Sequence, residues 1–186
     1  RIYRVVTDSM TPVRPFDIRK MSTHELTALL NHPNKWFVRR ALVEIAGRND
    51  KRANGLLLQR VEKADDPRLA LNSLFALHGS EEVDESLAIR LLEHRFAPVR
   101  KWAVRFLGEY PSITQAAAAS LASISASESD VWVQSQLAST AKRLPAEQGL
   151  PIVWNLAKNN DVAADPHLPL LMWWAVEHHA INSRQS

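Results

Sequence analysis

Histidine residues are the first candidates for metal chemistry in this sequence of 186 residues. The segment HELTA, residues 24–28, begins like an H-E-x-x-H helix, in which two histidines on one helical face bind zinc. Ala28 stands where the second histidine would be, so the segment lacks one ligand. His178 and His179 are adjacent, and neighbouring residues of a helix point about 100° apart, so this pair alone cannot chelate a metal. We therefore predict no metal site.

Clustered carboxylates in the segment SEEVDES, residues 80–86, are the second candidates. Paired carboxylates can act as general acid and base. A helix start also accounts for them, because the helix dipole stabilises negative charge there by about 0.3–1 kcal/mol. The sequence has no cysteine, no G-x-S-x-G motif and no glycine-rich phosphate loop. We therefore predict a helix start at this segment, no catalytic residue and no cofactor held by this chain.

The sequence around these candidates repeats a helical pattern. The segment NKWFVRRALVEIAG resembles FAPVRKWAVRFLG, and further copies share the apolar spacing more weakly. Aligning the copies gives one equivalent residue in each, here called the anchor. The anchors are Val38, Ala70, Val99, Val133 and Pro169, and successive anchors are 32, 29, 34 and 36 residues apart. A period of roughly 20–50 residues is typical of stacked helical repeats.

Helix-start and helix-end signals divide each period into two helices. Ser22 and Glu25 have the spacing of a capping box, and Asp66 and Asp165 each precede a proline at the predicted first helical position. A glycine nine residues after each of the first three anchors predicts a helix end in the left-handed conformation. The predicted helix pairs lie near residues 22–48, 53–79, 82–108, 112–143 and 146–182.

Residues 1–20 have a different pattern from the rest of the chain. The segment RIYRVVT is rich in β-branched and aromatic residues, and two prolines follow it. We therefore predict a strand-like arm and linker of a preceding domain at residues 1–20, and an all-α superhelix of about five helix pairs at 21–186. Because the sequence begins with Arg1 and ends in SRQS, we expect it to be a piece of a longer protein.

Charge and hydropathy leave the cellular location open. The net charge of +3, from 23 basic and 20 acidic residues, is too small and too mixed to indicate a nucleic-acid or membrane partner. No apolar run approaches the roughly 18 residues of a membrane span, and no signal-peptide pattern opens the chain. We expect no membrane insertion.

The paired helices, with D-P-x-V-R-like openings on the second helix, resemble HEAT repeats, and APVRKWAVRFLG is the best match. The resemblance covers residues 22 to 182 and implies an α-solenoid. In such repeats an arginine after the anchor bonds acidic groups or helix-end carbonyls of the next unit, so Arg39 and Arg100 are the candidate inter-repeat ladder. Arg40, Lys101 and Arg105 form the candidate interaction surface, which could also meet phosphates as some HEAT-like proteins do.

Two observations favour a protein partner over nucleic acid at this surface. Glu44 and Glu109 lie on or beside the same helices as the basic residues. Trp36, Trp102 and Trp132 lie at different distances from their anchors, so they cannot form a regular row for stacking bases. We expect these tryptophans to pack in the core or between repeats.

A second resemblance concerns RIYRVV and MSTHELTALLNHPNKWFVRRAL. Together they resemble the junction in large membrane-bound dehydrogenases of planctomycetes and related bacteria, in which HEAT-like repeats follow a sorbosone-dehydrogenase-like β-propeller and precede a c-type cytochrome domain. The resemblance implies a periplasmic or membrane-associated parent that carries haem c and a quinone or similar redox cofactor. It also implies that both redox domains lie outside this chain.

These observations favour a non-catalytic scaffold or spacer that contacts neighbouring domains of the same chain or a protein partner. The alternative is a nucleic-acid-binding or base-repair HEAT-like domain. A continuous basic stripe with a central carboxylate would favour the alternative, whereas interleaved glutamates and arginines would favour the scaffold.

Overall fold

The computed structural model describes residues 16–159, 162 and 165–182, and all the regular structure in this part of the chain is helical. The α-helices are α1 (Thr23–Ala28), α2 (Lys35–Arg48), α3 (Asn54–Lys63), α4 (Pro67–Gly79), α5 (Glu85–Leu91), α6 (Ala97–Leu107), α7 (Gln115–Ser127), α8 (Val131–Arg143), α9 (Ala146–Ala157) and α10 (Leu168–Asn182). The prediction of an all-α superhelix of about five helix pairs is confirmed. The predicted strand at the start of the arm lies outside the described residues.

The helices stack in two layers, because each pair contacts the next through equivalent helices. The second helices α2, α4, α6, α8 and α10 contact one another in chain order, and α5, α7 and α9 do the same on the other side. The apolar residues between the layers form one continuous core. Each pair thus completes its core only by stacking on its neighbours, as expected for a repeat protein.

The predicted domain boundary at residue 21 leaves out residues that pack on the first helix pair. Residues Ile18–Lys20 form a short 3-10 helix in contact with α2, and the Ile18 side chain is buried. The Arg48 guanidinium of α2 donates hydrogen bonds to the carbonyls of Arg19 and Met21, at 2.8 and 2.6 Å. Residues 18–20 are therefore fixed to the superhelix.

Helix starts follow the predicted capping signals at two of three places. Ser22 and Glu25 form the reciprocal capping box of α1, and Asp66 caps α4 with Pro67 in its first turn. The prediction for the last helix is wrong, because α10 begins at Leu168 and not at the proline after Asp165. The Asp165 carboxylate accepts hydrogen bonds from the backbone N–H groups of residues 167 and 168, both at 2.8 Å, which places the helix start later.

The predicted anchor residues are buried in the first four repeats. In the fifth repeat the anchor was predicted one residue too late. Val38, Ala70, Val99 and Val133 are all buried. In the fifth repeat Leu168 is fully buried and Pro169 is exposed. The later start of α10 explains the shift, and Leu168 is the equivalent of Val133.

Helices end at two of the three predicted glycines, since α4 ends at Gly79 and Gly108 follows the last residue of α6, but the predicted left-handed conformation is wrong. No glycine of the described residues has a positive φ, Gly47 lies inside α2, and Asn49 takes the left-handed position after it with φ 46°. Gly108 serves close packing instead, because a Cβ at this position would lie 2.8 Å from the Thr140 side chain of α8. The absence of a side chain thus lets α6 and α8 approach closely.

The carboxylate cluster at residues 80–86 lies mostly before the helix that it was expected to open. Asp84 caps α5 and Glu85 is in its first turn. Glu81 has φ 61° in the preceding turn, and Glu82 forms an ion pair with Lys51. Only the last two carboxylates of the cluster therefore stand where the helix dipole favours them.

Candidate interaction surface

Two of the three predicted surface cations lie close to carboxylates. Arg40 Nη2 is 3.7 Å from a Glu44 oxygen, and Arg105 Nε is 3.9 Å from a Glu109 oxygen. Both pairs are four residues apart along the chain and partly exposed, so they contribute little to stability. Lys101 has no ion-pair partner in the described part of the chain. The second helices therefore carry interleaved charges and not a continuous basic stripe.

Arg100 joins two helix pairs through an ion pair with Glu128. Its Nε and Nη2 atoms lie 2.7 and 2.8 Å from the two Glu128 carboxylate oxygens, and its Nη1 donates to the His94 carbonyl at 2.9 Å. Burial disfavours the charged form of Glu128, but the Arg100 guanidinium and the backbone N–H groups of Asp130 and Ser129 outweigh this effect, so the pKa of Glu128 is lowered.

Arg39 does not share the environment of Arg100, although the two were predicted to occupy equivalent positions. Arg39 is exposed, and its side chain has no hydrogen-bond or ion-pair partner among the described residues. It lies instead beside a groove between α2 and α4. The structure therefore places Arg100 between repeats and Arg39 at a surface.

The α2–α4 groove combines an apolar floor with positive charge. It has a volume of about 330 Å³. Its lining residues are Leu30, Asn31, His32, Pro33, Lys35, Val38, Arg39, Leu42, Arg68, Leu71, Asn72 and Phe75. Arg68 lies 3.4 Å from Asp66, which is outside this set, whereas Lys35 and Arg39 form no ion pair with another described residue. No lining residue is acidic. The groove therefore suits a ligand that carries both apolar groups and negatively charged groups.

The expectation that the tryptophans pack in the core or between repeats is wrong for Trp36 and Trp132. Their exposed fractions are 51% and 68%, whereas Trp102 is partly buried against the core and forms an edge-to-face contact with Phe75 at 4.7 Å. Trp36 and Trp132 precede their anchors by two and one positions, which turns them away from the buried face. Their register relative to the anchors is the sequence signal that indicates exposure.

Aromatic and cationic side chains continue along α4, α6 and α8 beyond the groove. His78 of α4 stacks on Phe106 of α6 with 4.1 Å between ring centroids. The Arg105 guanidinium lies 5.3 Å from the Trp102 ring, and Lys101 Nζ lies 5.3 Å from the Trp132 ring. The Lys101–Trp132 contact joins neighbouring repeats, whereas the Arg105–Trp102 contact lies within α6.

The histidines serve hydrogen bonding between and within repeats. His94 Nε2 lies 2.8 Å from the Val61 carbonyl of the preceding repeat, and its Nδ1 accepts from the Phe96 N–H at 3.1 Å. His32 Nδ1 accepts from a backbone N–H two residues later. His179 is buried and lies 2.8 Å from the Ala141 carbonyl, a contact that was not predicted.

Two other kinds of site are absent from the described residues. No group of three or more histidine, aspartate, glutamate or cysteine residues there is arranged to hold a metal ion. No helix in the same residues has the length and apolarity that crossing a bilayer requires.

The fold and surface define the chain as an all-α superhelix with an apolar, positively charged groove on its second helices. In comparisons with known proteins, no family model matches the chain, and no curated protein matches it.

Proposed function

We propose that this chain is a non-catalytic, HEAT-like scaffold that holds a protein segment on the surface of its second helices. The α2–α4 groove is the observation that carries the proposal. Its floor residues Val38, Leu42, Leu71 and Phe75 can cover apolar side chains, and Arg39 stands at its edge without a partner among the described residues. Charge complementarity favours a segment that combines aliphatic and acidic residues.

The parent protein is proposed from the resemblance at residues 1–6 and 21–42. In that proposal the superhelix is a spacer between a β-propeller and a cytochrome domain of a haem-containing dehydrogenase-like protein. The redox cofactors belong to those domains, and the proposed parent is periplasmic or membrane-associated. A spacer needs a rigid stack of repeats, and buried contacts such as Arg100–Glu128 supply that rigidity.

Nucleic-acid binding is the second candidate, and the exposed Trp132 beside Lys101 is the observation that favours it. An exposed aromatic ring next to a cation can stack on a base and neutralise a phosphate. The carboxylates of Glu44 and Glu109 argue against it, because they lie beside Arg40 and Arg105 and would repel phosphates. The interleaved charge therefore favours a protein partner.

A peptide-binding assay tests the proposed scaffold function. The probe is a fluorescent peptide of alternating glutamate and leucine, and a lysine–leucine peptide of equal length is the control ligand. We expect saturable binding of the acidic peptide, weakened about tenfold or more by Arg39→Glu. Arg143→Glu is the matched control, because Arg143 is also exposed and has no partner among the described residues. Equal binding of both peptides, or equal effects of both variants, would contradict the proposal.

A further inference from the structure

The last helix pair exposes an apolar surface between its two helices. This surface, here called the terminal apolar face, surrounds a cavity of about 480 Å³ between α9 and α10. It is lined by Leu150, Val153, Trp154, Ala157, Pro169, Met172, Trp173 and Val176. Trp154 and Trp173 are 67% and 59% exposed. Exposed apolar patches of this kind mark interaction sites.

The terminal apolar face lies on the last pair of the stack, whose helices α9 and α10 contact α7 and α8 of the preceding pair. On α8, Ala138 and Ala141 lie five and eight residues after the anchor Val133 and are fully buried. The Ala141 carbonyl is 2.8 Å from His179 of α10, so this side of α8 contacts the next repeat. The equivalent positions after Leu168 are Trp173 and Val176, which are exposed. The same register does not face the next repeat in every pair, because Val43 at the equivalent position of α2 is 59% exposed. The terminal apolar face is therefore defined by the exposed apolar residues of α9 and α10 themselves.

The exposed side of α9 has opposite charges at its two ends and apolar residues between them. Glu147, Leu150, Trp154 and Lys158 follow one another at intervals of three or four residues, so they lie on one face of the helix. Glu147 has no hydrogen-bond or ion-pair partner among the described residues. Lys158 Nζ lies 5.5 Å from the centre of the Trp154 ring and 3.2 Å from the Asn155 side chain, and it forms no ion pair with a described residue.

This pattern is complementary to itself when two copies of α9 run antiparallel. The midpoint between Glu147 and Lys158 falls between Leu150 and Trp154. A twofold axis at that point places each Glu147 opposite a Lys158, and Leu150 of each copy within one residue of the position opposite Trp154 of the other. An interface in which the same patch is used twice is what twofold symmetry requires.

We propose that the terminal apolar face binds a second copy of this chain, with the two α9 helices antiparallel about a twofold axis. Trp154 and Trp173 supply the apolar contact, and the two Glu147–Lys158 pairs fix its register. The dimer leaves the α2–α4 groove at the opposite end of the stack free for its own ligand.

Sedimentation of the protein from micromolar to near-millimolar concentration tests this dimer. We expect an equilibrium between monomer and dimer without larger oligomers. Trp154→Ala is expected to weaken the affinity of the dimer about tenfold or more. Trp132→Ala is the matched control, because it removes an equally exposed tryptophan from another helix and is expected to leave the equilibrium unchanged. A wild-type protein that stays monomeric throughout this range would overturn the proposal, as would oligomers that keep growing with concentration.

Charge reversal tests the antiparallel register. Glu147→Lys and Lys158→Glu are each expected to weaken dimerisation about tenfold or more, because each places like charges opposite one another. Mixing the two variants is expected to restore it as a heterodimer, in which both pairs again have opposite charges. Both substitutions are at exposed positions, and circular dichroism checks that the fold is kept. Failure of the mixture to associate would overturn the proposed register.

Discussion

Arg100 and Glu128 are 28 residues apart in the sequence and form a two-bonded ion pair between the third and fourth helix pairs. The side chains are 18% and 3% exposed. Glu128 also accepts from the N–H groups of Ser129 and Asp130, which lead into α8. One carboxylate thus binds both α6 and the turn before the next second helix, so it fixes how the two repeats are stacked.

Arg100→Ala is expected to destabilise the protein by about 3–5 kcal/mol, because it leaves a buried carboxylate without its cation. Arg143→Ala is the control, since this exposed arginine has no partner among the described residues, and its effect is expected to stay within about 0.5 kcal/mol. Chemical denaturation measures both. An Arg100→Ala variant as stable as the control would mean that the ion pair does not hold the repeats together.

The contribution of Glu128 is expected to depend on pH. Its pKa lies below the ordinary value of 4.5, so its charged form stabilises the folded state. This stabilisation is fully present above that value and is lost as the pH falls through the folded pKa. The difference in unfolding free energy between wild type and Glu128→Gln should therefore be constant from neutral pH to about pH 5 and shrink below about pH 4. A difference that grows on acidification would reverse the assigned direction.

Gly108→Ala is expected to cost about 1–3 kcal/mol, because the new methyl group would overlap the Thr140 side chain. Gly47→Ala is the matched control within α2, where a Cβ meets no atom within 4 Å. That change is expected to stabilise the helix by about 0.5–1 kcal/mol, since alanine loses less backbone entropy than glycine. Thermal unfolding of the two variants should therefore show shifts of opposite sign. Two shifts of the same sign would count against the close approach of α6 and α8.

DNA is expected to bind only weakly, with a dissociation constant in the non-specific range of about 10⁻⁴ to 10⁻⁶ M at physiological salt. The reason is the small net charge of +3 and the carboxylates beside Arg40 and Arg105. Fluorescence anisotropy with duplex and single-stranded oligonucleotides measures this affinity. Sequence-selective binding tighter than micromolar would favour the nucleic-acid candidate.

The sequence predicted features that depend on local chemistry. The capping box at Ser22 and Glu25 and the proline start after Asp66 need only neighbouring residues, and both predictions are confirmed. Features that depend on another repeat were harder to predict. Gly108 lies at a helix end as predicted, but its packing role was missed because its contact with Thr140 lies 32 positions further along the chain. Trp132 was expected to pack in the core or between repeats, although its position directly before the buried anchor Val133 turns it towards solvent.

Mapping the acidic peptide onto the protein by nuclear magnetic resonance tests the central claim most directly. Titration of isotope-labelled protein with the glutamate–leucine peptide is predicted to shift backbone resonances of α2 and α4 in a saturable manner. The shifts should centre on Leu71 and Phe75 and weaken strongly in Arg39→Glu but not in Arg143→Glu. Absence of saturable shifts, or shifts that centre on helices other than α2 and α4, would contradict the assignment of this groove as the binding surface of the scaffold.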